Sequence, residues 1–106
     1  MELRTYLIRL KSLEDLVKIA CTSSTAVIYY LRTRSKKNVY FCYTISGGTI
    51  ILHYIELDRP IEKKYVAYSS FDGRLFFADK PSADARLHYI PVIEIESQSL
   101  VPEEVF

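Results

Sequence analysis

The chain has 106 residues, of which 49% are hydrophobic and 25% charged, with three glycines and four prolines. This composition is typical of one globular domain and excludes collagen-like, low-complexity and disordered chains. The formal charge of +1 excludes a strong overall field for nucleic acid or anionic lipid, although residues 1–53 carry +5 and residues 54–106 carry −4.

The N-terminal part of the chain predicts a strand followed by a helix. Residues 2–10 alternate in the manner of a strand, and Ser12 is placed to cap a helix with one apolar stripe. The polar run of residues 22–25 predicts that this helix ends near Cys21. The stripe comprises Leu13, Leu16, Val17 and Ala20.

The rest of the chain predicts about six strands, most of them joined by hairpins. Gly47-Gly48 and Asp72-Gly73 are typical of two-residue hairpin turns, and Pro91 restricts the last strand to a sheet edge or a bulge. The predicted strands are residues 26–33, 38–46, 49–57, 64–71, 74–79 and 88–96.

These elements predict an α+β fold. One N-terminal amphipathic helix packs on a mostly antiparallel sheet of six to seven strands, which is either open or curled into a partial barrel. Residues 1–96 form one domain, and residues 97–106 form a polar C-terminal tail.

The hairpin turns also predict which side chains share a face of the sheet. A two-residue turn at Gly47-Gly48 pairs Cys42 with His53, and a four-residue loop over residues 34–37 pairs Leu31 with Tyr40. Both faces are then more apolar than is usual for an antiparallel sheet with one side in water. One of them carries Ile28, Tyr30, Phe41, Tyr43, Leu52 and Tyr54.

That apolar, tyrosine-rich face has two interpretations, because one helix covers only part of one face. It is either the interface of a homodimer or an inner face onto which residues 64–79 fold. Tyrosine is enriched at interfaces that are wet in the free protein and dry in the complex. The favoured hypothesis is a small, non-catalytic association or adaptor protein that forms a homodimer through this face.

Nucleic-acid binding is the alternative hypothesis. Arg32, Arg34, Lys36 and Lys37 cluster at one predicted hairpin tip, and Tyr40 lies beside them in sequence. Basic groups for phosphates and aromatic rings for bases are what a single strand needs. A structural explanation stays open, since charged loops also keep sheet edges from aggregating.

The sequence carries no trusted catalytic, metal or cofactor motif, and it implies no small-molecule substrate. Cys42 and His53 face each other in the predicted hairpin, but apolar surroundings keep a thiol inert. The single Asn, Gln and Met are typical of hyperthermophile proteins, in which a Cys21–Cys42 disulfide would be tolerated.

No membrane location is expected from the sequence. The uncharged residues 38–55 are interrupted by Gly47-Gly48, and each half is too short to span a bilayer. Met1 to Arg4 do not open a secretory signal, so the sequence predicts a cytoplasmic protein.

Overall fold

The computed structural model describes residues 4–84 and 86–95, so the predicted tail of residues 97–106 lies outside the described part. The described residues form one helix and a seven-stranded sheet that is not closed. The elements are β1 (Arg4–Arg9), α1 (Leu13–Thr22), β2 (Ile28–Arg32), β3 (Asn38–Ser46), β4 (Thr49–Leu57), β5 (Tyr65–Ser69), β6 (Leu75–Ala78) and β7 (Leu87–Glu94). The α+β class is therefore confirmed.

Helix α1 begins at a side-chain cap. The backbone N–H of Asp15 donates to the Ser12 hydroxyl at 3.2 Å, and the acidic first turn complements the helix dipole. The buried side of the helix is formed by Leu16, Val17 and Ala20, which lie on the predicted stripe. The helix thereby covers part of one face of the sheet.

The hairpin of β3 and β4 has the predicted register. Gly47 and Gly48 have φ angles of 55° and 80°, the left-handed values that a two-residue turn between strands requires. Ser46 pairs with Thr49, and the same register places Cys42 opposite His53. The turn residues alone were sufficient to fix this pairing.

The register of β2 against β3 differs from the prediction by one residue. Residues 33–37 form a five-residue loop, in which the Thr33 hydroxyl accepts from the Lys37 N–H at 3.1 Å and Lys36 adopts a φ of 63°. Leu31 consequently pairs with Val39, not with Tyr40 as predicted. Because side chains alternate along a strand, this shift moves every β2 side chain to the opposite face.

The sheet is mixed, which corrects the prediction of a mostly antiparallel sheet. Its order is β1-β4-β3-β2-β7-β5-β6, with β1 parallel to β4 and β2 parallel to β7. Strand β7 therefore lies inside the sheet order, so of the two positions predicted from Pro91, an edge or a bulge, the edge is wrong. Pro91 marks the point where pairing changes, since Tyr65 of β5 pairs with Pro91 and Ile28 of β2 pairs with Val92.

The second predicted two-residue turn is longer in the structure. Residues 70–74 connect β5 and β6, the Gly73 N–H donates to the Ser69 carbonyl at 2.9 Å, and Gly73 has a φ of 69°. The glycine supplies the left-handed conformation as expected, but within a five-residue connection.

Apolar side chains form two clusters, one on each face of the sheet. The first, which we call the helix-side cluster, packs α1 against the strands on the helix side of the sheet. Its buried members are Leu16, Val17, Ala20, Ile28, Tyr40, Cys42, Ile55, Val66 and Ile90. The second cluster has buried members Leu31, Val39, Phe41 and Leu52, with Tyr29, Tyr43, Tyr54 and Ile95 packed beside them. Within residues 4–84 and 86–95, no helix is long and apolar enough to cross a membrane.

Candidate functional site

The candidate site is the sheet face opposite α1, which we call the tyrosine face. It consists of the second apolar cluster together with neighbouring side chains in the same register. Its centre is buried, with Phe41 only 1% exposed, whereas Tyr29, Tyr43 and Tyr54 are half-buried around it. The tyrosine face thus combines a dry centre with rings that still reach solvent.

The rings at the centre are arranged in parallel. Tyr29 stacks on Phe41 with a centroid distance of 5.4 Å and on Tyr43 with 5.9 Å. This arrangement follows from the register, since Tyr29 lies directly opposite Phe41 and diagonal to Tyr43. Burial and a hydrogen bond with the Tyr43 hydroxyl raise the pKa of Tyr29, so its phenol stays neutral.

Exposed aliphatic side chains extend the tyrosine face beyond the rings. Leu7 pairs with Leu52 and is 42% exposed, and Ile45, two residues beyond Tyr43 on β3, is 65% exposed. Ile93 pairs with Tyr29 and is also exposed. These side chains place apolar surface on three sides of the ring cluster.

Charged groups close one end of this face. Glu56 lies 3.6 Å from Arg9 and 3.9 Å from Lys37, with the carboxylate oxygen between two basic side chains. Such exposed ion pairs contribute less than about 1 kcal/mol each, so their main effect is to give this end of the face a polar rim.

The structure separates the predicted interface residues into two groups. Four of the six lie together on the tyrosine face: Phe41, Tyr43, Leu52 and Tyr54. Ile28 and Tyr30 belong to the helix-side cluster, so their predicted place beside the other four is wrong. The cause is the one-residue error in the length of the loop between β2 and β3.

The same error hid three members of the site. Tyr29, Leu31 and Val39 lie on the tyrosine face but were absent from the predicted interface. The signal that would have found them is Thr33, whose side chain accepts a hydrogen bond within the loop and ends β2 at Arg32. A five-residue loop with a threonine at its start would have given the observed register.

The basic hairpin tip is present as predicted, but its aromatic neighbour is not available. Arg32, Arg34, Lys36 and Lys37 are all exposed at or beside the loop. Tyr40 is 1% exposed, and its hydroxyl accepts from the Ile61 N–H at 2.6 Å. Tyr40 therefore has no open ring face on which a base would stack, which corrects its predicted role.

The opposed Cys42 and His53 lie on the helix side of the sheet. Burial raises the pKa of the Cys42 thiol to about 11, which opposes formation of a thiolate. Burial also lowers the pKa of His53, whose Nε2 lies 3.2 Å from the Thr44 hydroxyl. The His53 Nδ1 is buried without a hydrogen-bond partner among the described residues.

Both cysteines carry free thiols, so the disulfide considered between Cys21 and Cys42 is not formed. Both nevertheless pack in the helix-side cluster. In the described part of the chain, no group of three or more His, Cys, Asp or Glu side chains is placed to hold a metal ion.

Comparison with known proteins gives no relative: no protein-family model, no curated protein and no solved structure matches this chain.

Proposed function

We propose that this protein works by association and forms a homodimer through the tyrosine face. The observation that supports this most strongly is the exposed aliphatic rim around the stacked rings, on the face that α1 does not cover. Leu7 and Ile45 continue the apolar surface outward from a centre that is already dry. Contiguous apolar surface of this kind, with a polar rim at one end, is typical of protein interfaces.

The tyrosine rings suit a surface that is solvated in one state and covered in another. A tyrosine presents a broad apolar ring while its hydroxyl keeps a hydrogen bond, so exposure costs less than for phenylalanine. In this face the rings of Tyr29 and Tyr43 are held by stacking, and little side-chain entropy remains to be lost on association. The homodimer would therefore form between preorganised surfaces.

Ile45 is more exposed than Leu7 or Ile93, the other exposed aliphatic side chains on the tyrosine face. Full burial of an isoleucine side chain contributes about 1.5 to 3 kcal/mol. Because Ile45 is 65% exposed, covering it would contribute about 1 to 2 kcal/mol in each copy. A two-fold interface uses the same residue twice, so the contribution doubles.

The test is sedimentation of the protein over a concentration series. The wild type is expected to dimerise with rising concentration, and Ile45→Asp is expected to shift it toward monomer while preserving the circular dichroism spectrum. Phe77→Asp is the matched control, since Phe77 is an exposed apolar residue on β6, far along the sheet order. A wild type that remains monomeric at high concentration would refute the proposal.

A second candidate function is the binding of single-stranded nucleic acid at the basic tip. What supports it is the joint exposure of Arg32, Arg34, Lys36 and Lys37 at or beside the loop between β2 and β3. Phosphate contacts of this kind weaken steeply with salt.

Anisotropy of a labelled mixed-sequence oligonucleotide tests this second candidate at low salt. Binding should decline as salt rises, and the triple variant Arg34→Glu, Lys36→Glu and Lys37→Glu should abolish it. Lys63→Glu and Lys64→Glu serve as a control for loss of positive charge elsewhere, since both lysines are exposed just before β5. Absence of binding at low salt would rule the candidate out.

A further inference from the structure

Strand β1 forms one edge of the sheet and is exposed along its whole length. All six residues from Arg4 to Arg9 are exposed, and its middle is apolar, with Tyr6 53% and Ile8 44% exposed on the helix side. Leu7, 42% exposed, projects to the tyrosine face. An apolar edge strand with exposed backbone is a template for pairing with another strand.

The hydrogen-bonding direction of β1 identifies which backbone groups are open. The N–H of Leu10 donates to the Tyr54 carbonyl of β4 at 2.7 Å. Because the N–H and C=O of one residue point to the same side and alternate along a strand, the even-numbered residues of β1 bond to β4. Thr5, Leu7 and Arg9 therefore direct their N–H and C=O groups away from the sheet.

We propose that β1 pairs antiparallel with β1 of a second copy, with Leu7 at the two-fold axis opposite Leu7 of the other copy. In an antiparallel ladder, paired residues whose backbone groups face each other exchange two hydrogen bonds. This register pairs Leu7 with Leu7 and Thr5 with Arg9 on either side of the axis. It uses every outward-facing residue of the strand, whereas a shift by two residues leaves either Thr5 or Arg9, depending on its direction, without a partner inside Arg4–Arg9.

The side chains fit the same register on both faces. Tyr6 of one copy lies beside Ile8 of the other on the helix side, and the two Leu7 side chains meet on the tyrosine face. Each Arg9 faces Thr5, so arginines do not face each other directly, which would cost energy in a cross-strand pair. The edge is thus self-complementary in hydrogen bonding, apolar contact and charge, which identifies a second copy as the occupant.

The opposite edge of the sheet does not share these properties. Strand β6 is only four residues long, and Asp79 directly after it holds Lys63 at 3.2 Å. Short strands and charged side chains protect edges from pairing. Within Arg4–Arg9, by contrast, the sequence has no proline and no lysine, and the apolar residues occupy its centre.

Pairing at β1 differs from the homodimer proposed above because it uses backbone groups at the sheet edge and not the packed rings, although the Leu7 side chain borders both surfaces. It joins two sheets into one continuous sheet across the two-fold axis. Association through both surfaces would produce assemblies larger than a dimer, since each copy then has two different self-complementary contacts.

The first test replaces Leu7 with proline. Proline removes the outward N–H of Leu7 and leaves the bonds between β1 and β4 in place, so the fold is expected to persist. Leu7→Pro should weaken self-association through the edge by about tenfold or more, as loss of more than one hydrogen bond predicts. Leu7→Ala, which keeps the N–H, is the matched control. A folded Leu7→Pro variant that associates as strongly as Leu7→Ala would overturn the proposal.

Cysteine cross-linking provides the second test and does not depend on the fate of the proline variant. In a Cys21→Ser background, Leu7→Cys should form an intermolecular disulfide under mild oxidation, because the axis brings the two positions face to face. Ile45→Cys in the same background reports on the tyrosine face. Cross-linking of Leu7→Cys without cross-linking of Ile45→Cys supports edge pairing, and a folded Leu7→Cys variant that does not cross-link overturns it.

Discussion

Asn38 is the buried polar residue whose removal tests the described packing most directly. It is 6% exposed at the start of β3, where its side-chain amide donates to the carbonyls of Leu57 and Asp58, both at 3.2 Å. Its side-chain oxygen accepts from the Tyr30 hydroxyl at 2.8 Å. One side chain thereby ties β2, β3 and the end of β4 together.

Replacing Asn38 with alanine removes all of these hydrogen bonds. A typical intramolecular hydrogen bond contributes about 0.5 to 1.5 kcal/mol, and a buried carbonyl left unpaired costs more. Tyr30 is half-buried, so water is expected to replace part of the hydrogen bond that its hydroxyl loses. Asn38→Ala should therefore lower the free energy of unfolding by about 2 to 3 kcal/mol.

The assay is urea unfolding at one fixed protein concentration, because association would otherwise shift the apparent stability. A double-mutant cycle with Tyr30→Phe should give a coupling energy of about 1 kcal/mol, the value of the shared hydrogen bond. Ser12→Ala, on the cap of α1, is the distant control and should be additive with Asn38→Ala within about 0.5 kcal/mol. A cost for Asn38→Ala below about 0.5 kcal/mol, or zero coupling to Tyr30, would refute the reasoning.

Three further predictions concern burial. Phe41→Ala should cost about 3 to 5 kcal/mol in urea unfolding, whereas Ile45→Ala should change stability by less than about 0.5 kcal/mol; equal effects would contradict the assigned burial. Burial holds the pKa of His53 below 6.5 in the folded protein. The contribution of neutral His53 to folding stability is therefore complete above pH 6.5 and is lost as the pH falls from 6.5 through the lower pKa of the folded state. The loss of stability between pH about 7.5 and 5 should accordingly be smaller in His53→Gln than in the wild type, and an equal loss would contradict this. With a pKa of about 11, the Cys42 thiol should react with a thiol reagent only on unfolding, and Cys42→Ala should remove that slow phase; rapid reaction in the folded protein would show an accessible thiolate.

The local parts of the fold were predictable because short-range chemistry determines them. The turn at Gly47-Gly48 requires left-handed conformations that few residues other than glycine adopt. This dipeptide alone therefore predicted the β3–β4 register. Ser12 and the apolar stripe behind it likewise identified α1. In both cases the deciding residues lie within a few positions of the structure they determine.

The parallel pairings were not predictable in the same way. Leu7 pairs with Leu52 and Tyr29 with Ile93, over separations at which no turn chemistry links the strands. The prediction of which residues form the tyrosine face was partly wrong for a different reason. Lys36 adopts a left-handed conformation that cannot be predicted from its residue type. The loop is one residue longer than predicted, so the β2 side chains lie on the opposite faces from those predicted.

The division of β7 between two neighbours has a consequence for the order of folding. Its first half pairs with β5 and its second half with β2, so among the described strands it is the one that connects β5 and β6 to the rest of the sheet. A chain emerging from the ribosome at about 5 to 20 residues per second exposes β2 and β5 as open edges until β7 arrives. Two strands that lie in the middle of the completed sheet are therefore vulnerable to aggregation during synthesis.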